Sequence, residues 1–258
     1  VIVRTKLTDK NVEKRIGLMQ KIKKADSPIF ELLFKDKKFY DFVQTAFAYN
    51  SGKIEGIPLT DDEVAMLYFE GTSRLLSFTT KFEINDIVET ANHFRAFDYV
   101  LNHVGKELNF AFLKILHSIL KHGVVGNQVV GDFKKRPNMV GNYRTVAPAN
   151  VVREMSVLVN RYNKIKKASF QDIVDFHVEF ERIHPFEDGN GRCGRLIMFK
   201  QCLENDLLPF VVNADTRKYY MNGIAKYPEH KGFLTDTLLH EQDNFKEAID
   251  EYNSKAKK

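Results

Sequence analysis

The chain has little of what would take it outside globular, water-exposed chemistry. No apolar run approaches the roughly 20 residues that a spanning helix needs, so no membrane partner is expected. The first residues, Val1-Ile2-Val3-Arg4-Thr5-Lys6, lack the long apolar core of a signal peptide. Only two cysteines occur, Cys193 and Cys202, nine apart in one predicted helix and too distant for a disulfide with each other. So few thiols suit a reducing compartment, and the expected location is cytoplasmic, or a host cell if the chain is a secreted effector. No internal repeat or low-complexity linker interrupts the sequence. The net charge of +5 is modest, and lysine clusters such as Lys21-Ile22-Lys23-Lys24 and Lys164-Ile165-Lys166-Lys167 are scattered. They read as solvated faces, and a nucleic-acid partner is not expected.

What the chain does hold is helical periodicity. Hydrophobic residues make up 43% and charged residues 28%, the balance of a globular protein. Its 258 residues suffice for one large domain or two small ones. Ser27-Pro28 reads as an N-cap and first-turn proline opening a helix through Leu33. A second helix is predicted from about Asp41 to Ile54, ended by Gly56 and kept from resuming by Pro58. Thr60-Asp61-Asp62-Glu63 has the form of a capping box. Two amphipathic stripes follow, Ile84-Ile87-Val88-Ala91-Phe94 and Leu113-Leu116-Leu120. Between His122 and Pro148 four glycines, a proline and short valine pairs break that period, so a flap is predicted over 122–148. Helices resume at about Asn150–Tyr162, after the cap Ser169, near Lys218–Lys226 and from about Phe233. The expected fold is all-α with a small β-hairpin flap. One domain over 1–258 is the simplest reading, and residues 1–38 could form a helical appendage. His117 and His177 sit on apolar stripes and read as core histidines satisfied by backbone.

One segment carries chemistry. Residues His184 to Arg195 read H-P-F-E-D-G-N-G-R-C-G-R, joining the stripe Ile173-Phe176-Phe180-Ile183 to the apolar run Leu196-Ile197-Met198-Phe199. Gly189 and Gly191 supply backbone dihedrals that let successive N–H groups converge. A helix beginning near Gly191 points its positive end at the same centre. Arg192 and Arg195, three apart, share one face of that helix. Two fixed cations and a nest of amides make a polyphosphate site. His184 can take a proton at neutral pH, and Asp188 can hold a divalent cation. Phe186 is expected to anchor the loop in the core, Glu187 to be exposed, and Cys193 to be a small filler.

The dodecapeptide resembles the Fic family motif H-P-F-x-[D/E]-G-N-G-R-x-x-R at every specified position, and the resemblance extends over roughly Phe39 to Phe245. It implies a Fic-type helical core, with motif loop and helix over 184–204. It also implies a bacterial-type protein adenylyltransferase, moving AMP from ATP to a Tyr, Thr or Ser hydroxyl of another protein or of the chain itself. In that reading His184 is the general base and Asp188 binds Mg²⁺. Gly189, Asn190 and Gly191 form the cradle, and Arg192 and Arg195 pair with the β and γ phosphates. Gly141-Asn142-Tyr143-Arg144 resembles the end of the flap along which a target segment adds as a strand. Lys218-Tyr219-Tyr220 resembles a stretch whose second tyrosine lies near the adenine, although Tyr227 stands where an asparagine is often found. Ser51-Gly52-Lys53-Ile54-Glu55-Gly56 resembles the family's inhibitory motif [S/T]-x-x-x-E-[G/N], making 39–56 an inhibitory helix. If that helix end packs on the site, Glu55 pairs with Arg195 and takes the γ-phosphate's place. The alternatives are removal of AMP, transfer of another phosphate or nucleotide group, and a nucleotide-sensing module without turnover.

Overall fold

The computed structural model describes residues 28–78, 82–126, 129–141 and 143–256. The chain runs α1 (Pro28–Lys35), α2 (Lys37–Ile54), α3 (Asp61–Phe69), α4 (Thr72–Phe78), α5 (Ile84–Leu101) and α6 (Phe110–Leu120). The strands β1 (Met139–Val140) and β2 (Tyr143–Arg144) follow. Then come α7 (Pro148–Asn163), α8 (Phe170–Ile183), α9 (Asn190–Glu204), a 3₁₀ turn (Ala214–Thr216), α10 (Arg217–Lys226) and α11 (Lys231–Ala256). The fold is therefore all-α with one small antiparallel hairpin, Met139 opposite Arg144 and Val140 opposite Tyr143.

The helix boundaries follow from their caps. Thr60 caps α3 and Ser169 caps α8, each in a reciprocal capping box. Two differences from the sequence-based expectation lie at helix ends. Helix α2 begins at Lys37 rather than near Asp41, because Asp36 accepts from the amides of Lys38 and Phe39 at 2.9 and 3.1 Å. Helix α4 is additional: Gly71, at φ +86°, ends α3, and its carbonyl then accepts from Arg74 N at 3.2 Å. Ser27 and the rest of 1–27 lie outside the described residues. From Pro28 onward the chain packs into the main core through Phe30, Leu33 and Phe34.

Helix α9 is the axis of the molecule. Every residue from Arg192 to Leu203 is buried, because α2, α5, α6 and α8 all pack against it. A helix enclosed on all sides must place even its polar residues in the interior. Its apolar members, Leu196 to Phe199, join α2 and α5 through Phe47, Phe97 and Phe199, whose ring centroids stand 5.4–5.8 Å apart. Truncating a side chain such as Leu196 at this depth costs about 2–5 kcal/mol. Cys193 and Cys202 are buried free thiols in this helix. A smaller cluster, including Ile57, Leu59, Leu67, Leu75 and Ile87, joins α3 and α4 to the rest. No described helix is long and apolar enough to cross a membrane.

Candidate active site

Helix α8 ends where the chemistry begins. His184 is its C-cap, at φ 52° and ψ 62°, a left-handed conformation that costs a non-glycine residue about 1 kcal/mol or more. That turn takes the chain off the helix axis and into the loop. The His184 Nδ1 lies 3.1 Å from the Glu181 carbonyl, so Nδ1 carries the proton and Nε2 is the free lone pair. Burial, with Lys134 nearby, lowers the imidazole pKa and keeps the ring neutral. The loop is closed by Asn190, whose amide group accepts from Phe186 N at 2.8 Å and donates to Phe186 O at 2.9 Å. Phe186 is fully buried and stacks on His117 at 4.0 Å and 2°. His117 Nδ1 accepts from Gly131 N, so its Nε2 donates to the Asp188 carbonyl at 3.0 Å. His117 is thus satisfied by backbone, and it fixes both loop and flap. Gly189, at φ +78°, turns the chain into α9. The amides of Asn190, Gly191 and Arg192 stand at the helix start, where no carbonyl one turn earlier can pair them.

Arg192 lies within a network of four charges. It pairs with Glu89 of α5, which also pairs with Lys121 at the end of α6. Lys121 donates to Asp188 Oδ2 at 2.5 Å, and Arg192 stands 3.7 Å from the same oxygen. Burial would raise the Asp188 pKa, but Lys121 and then Arg192 outweigh it and hold the carboxylate ionised. The Asp188 side chain keeps 51% exposure, so part of it remains open. Arg192 Nε is buried with no partner.

Arg195 has different company. Its Nε donates to Ser51 Oγ at 3.0 Å, and its Nη2 to Ser51 O at 3.2 Å and Glu55 Oε1 at 2.6 Å. Among the described residues Glu55 is its one ion-pair partner. Behind it lie neutral groups. Tyr220 is 1% exposed, its hydroxyl is 2.6 Å from His177 Nε2, and its ring centroid is 5.9 Å from Arg195 Cζ. One ring nitrogen of His177 therefore meets a side-chain hydroxyl. Glu181 is enclosed beside it, and burial raises its carboxyl to about 8. Glu55 itself lies in the cradle: a methyl placed on Gly191 would overlap its Oε1 and reach 3.0 Å from Arg195 Nη1. Burial acts to raise the Glu55 pKa, but Arg195 and Arg192 prevail and keep the carboxylate charged.

The end of α2 is held rigidly enough to deliver that carboxylate. Ile57 N donates to Gly52 O at 3.0 Å around Gly56, which has φ +93°. Arg217 donates to Ile54 O at 2.7 Å, and Asn50 accepts from Ala214 N at 2.9 Å. The 3₁₀ turn and the first residue of α10 therefore brace the helix end from outside the motif.

The flap is pinned to the loop along its length. Lys134 N donates to Pro185 O at 2.8 Å, and Asn138 Nδ2 to Phe186 O at 2.8 Å. Lys134 Nζ donates to Asn138 and Thr145 side chains at 2.7 Å and to Ile183 O at 3.1 Å. Glu187, expected to be exposed, is 7% exposed at its side chain. It accepts from the Val129 and Lys135 amides and pairs with Arg136, which holds its pKa down to about 2. Tyr143 projects outward from the hairpin under Arg182, and Gly141 turns it at φ +55°. Asn142 lies outside the described residues. A separate cavity of about 690 Å³ borders the opposite face of α8, lined by Tyr162, Phe176, Arg182 and Tyr227.

The structure thus brings His184, Asp188, the glycines, both arginines, Ser51 and Glu55 to one centre. It adds Glu89, Lys121, Lys134 and Glu181, which carry no local signal in the sequence, and it places His117, expected as a core histidine, against the loop. Glu89 and Lys121 reach Arg192 and Asp188 from 103 and 67 residues away. In sequence they look like a solvated helical glutamate and a helix-ending lysine.

Residues 107–202 match the model of the Fic/DOC family. No curated protein matches the chain. Among solved structures, a Fic domain-containing signaling protein from Bacteroides thetaiotaomicron VPI-5482 is similar at TM-score 0.66 and 23% identity, covering 84% of this chain and 81% of that one. A Fic family protein from Desulfovibrio desulfuricans G20 is similar at TM-score 0.66 and 22% identity, covering 93% and 73%. Fic-1 from C. elegans is similar at TM-score 0.67 and 16% identity, covering 95% and 72%. At these identities the likenesses speak for the fold.

Proposed function

We propose that this chain, which carries a Fic/DOC family domain over residues 107–202, is a protein adenylyltransferase restrained by its own Glu55. The observation that carries the reading is the Glu55 carboxylate seated on Gly191 and paired with Arg195. A carboxylate occupies the place where a phosphate would find amides and a guanidinium.

The fit to a nucleotide and metal rests on two features. Arg192 Nε is a buried donor without a partner, and Asp188 keeps part of its carboxylate open. Asp188 would hold Mg²⁺ together with phosphate oxygens, since this ion is commonly bound by one or two carboxylates plus phosphates. When bound, Mg²⁺ neutralises charge on the leaving pyrophosphate. The chain's own residues supply the rest. His184 Nε2 accepts the proton of the target hydroxyl as its oxygen attacks the α-phosphorus. The α–β bridging bond breaks, and AMP is left on the target. Arg192, Arg195 and the helix-start amides hold the phosphates in line, and positioning and charge stabilisation supply most of the catalysis in such transfers. The flap beside His184 offers a strand edge to an extended target segment.

The test uses ATP labelled at either the α- or the γ-phosphate, with Mg²⁺ and a cell lysate. Glu55→Gly should transfer α-label to protein faster than the native chain, and His184→Ala should transfer none while still binding ATP. Transfer of γ-label instead would identify a phosphotransferase. Equal initial rates for the native chain and Glu55→Gly at all Mg²⁺ and ATP concentrations would refute the restraint. Faster loss of AMP from a premodified target with native protein than with Glu55→Gly would assign Glu55 to the removal reaction.

A further inference from the structure

Lys121 sits where a metal-binding carboxylate is not ordinarily expected to keep a cation. Its side chain is 1% exposed and lies between Glu89 and Asp188. Its stem packs under the cradle, with Cδ 3.4 Å from where a Cβ on Gly189 would stand. It therefore cannot swing away freely. Counting Lys121 and Arg192 against Glu89 and Asp188, the site is electrically balanced before any ligand arrives.

We propose that Lys121 is a positioning and selectivity residue. It holds one oxygen of Asp188 and keeps the site from binding a free divalent cation, so that the metal enters with phosphates. This rests on the reading of Asp188 as the metal carboxylate. A bare cation meets a carboxylate already paired at 2.5 Å, in a neutral surrounding that offers no net attraction. A metal–polyphosphate complex brings its own negative charge, gives Arg192 Nε a partner and places the cation against the open side of Asp188. The anion, rather than the protein, then supplies the extra ligands. Glu89 anchors the lysine so that it tethers Asp188 without advancing into the cradle.

The experiment measures Mn²⁺ affinity by electron paramagnetic resonance, first with Mn²⁺ alone and then with Mn²⁺ and ATP. No turnover is involved. Lys121→Met, which keeps the stem, should bind free Mn²⁺ about tenfold or more tightly than the native chain, the scale of one lost charge–charge repulsion. Lys121→Gln should do the same. Lys121→Arg should restore native weak binding, a rescue that a purely structural role would not give. Asp188→Ala should lose the Mn²⁺–ATP complex. Free-Mn²⁺ affinity unchanged or weakened in both uncharged variants, with Asp188→Ala still losing the complex, overturns the role of Lys121 alone. Native Mn²⁺–ATP binding in Asp188→Ala overturns both this proposal and the metal reading beneath it.

Discussion

Arg192 and Arg195 stand one turn apart on the same face of α9, both nearly sealed from solvent, but their surroundings differ in kind. Arg192 is neutralised by Glu89, a mid-helix residue shared with the buried Lys121. Arg195 is neutralised by Glu55, the last residue of a helix end, whose side chain keeps 31% exposure. Behind Arg195 the protein places groups that are uncharged at neutral pH: His177, Tyr220 and the protonated Glu181. One arginine thus has a permanent counter-charge and the other an exchangeable one. A buried guanidinium with one replaceable partner is suited to accept a phosphate when that partner leaves, and this is the contact proposed above as inhibitory.

The sharpest way to break this comparison is to remove the permanent partner. Glu89→Ala leaves Lys121 and Arg192 without their shared carboxylate, and loss of one member of a buried pair costs about 3–5 kcal/mol. Urea unfolding should show a loss of that size, and a change under about 1 kcal/mol would show that Asp188 alone satisfies both cations.

Removing the exchangeable partner should cost less and be reversible. Glu55→Gly should lose about 1–3 kcal/mol, below the range for fully enclosed pairs because Glu55 is partly solvated. ATP should then raise the melting temperature of Glu55→Gly more than that of the native chain. Arg195→Ala should lose this response and show no activation, because it removes the proposed phosphate partner along with the proposed inhibitory contact. Equal ATP-induced shifts in native and Glu55→Gly proteins would contradict an exchangeable counter-charge.

The neutral groups behind Arg195 and around the loop predict a pH signature. Burial lowers His93 and His177 to about 3 and His117 to about 4, against 6.5 for an unperturbed histidine. From pH 6.5 down toward 4.5 these three histidines take up as many as three protons in the unfolded chain that they refuse in the folded one, and His103 and His184, also lowered by burial, act in the same direction. Glu181, raised to about 8 from 4.5, holds one proton in the folded chain that the unfolded chain releases. Set against Glu181, the three histidines leave a net excess of up to two protons in the unfolded state, so these four residues should make stability rise with pH through this window by up to about 2.7 kcal/mol per unit. Above pH 6.5 the sign reverses: Glu181 makes stability decline with pH until, near pH 8, Lys134, lowered to about 8 by burial, sheds its proton in the folded chain and opposes the decline. Urea midpoints measured from pH 4.5 to 8 should trace this rise and fall, with Glu181→Gln flattening the upper limb. A profile without slope below pH 6.5 would mean that these histidines gain protons in the folded state.

The smallest expected effect concerns the flap, where hydrogen bonds rather than buried ion pairs make the connection. Glu187→Gln keeps one acceptor for the Val129 and Lys135 amides and weakens the pair with exposed Arg136. It should cost about 1 kcal/mol or less. Hydrogen exchange should quicken at those two amides and leave the start of α9 unchanged.

Much of this site was legible because its parts are local. The capping boxes at Thr60 and Ser169, the stop at Gly56, the irregular stretch after His122 and the arginine spacing depend on neighbours a few residues away. Such signals survive in a bare sequence. The sequence places the start of α2 too late, because a single Asp36 between lysines signals a cap only weakly. Glu187 looks exposed in the sequence because only the folded flap brings Val129, Lys135 and Arg136 to it. The resemblance puts Tyr220 near a base, and in the fold its hydroxyl bonds His177 beneath Arg195, a partner the sequence does not indicate.

By itself the sequence determined the all-α class, the dodecapeptide and the two helical arginines, since helix periodicity and glycine dihedrals are set by short-range sterics. It also proposed a Glu55–Arg195 pairing without being able to bring the two together. Tertiary structure alone decided that pairing, the Glu89 bridge, the Lys121 tether on Asp188 and the clamp of Lys134 on the flap. Each joins charges or donors from helices far apart in the chain. Only the enclosure of α9 on all sides removes water from them and turns ordinary surface residue types into a coupled site.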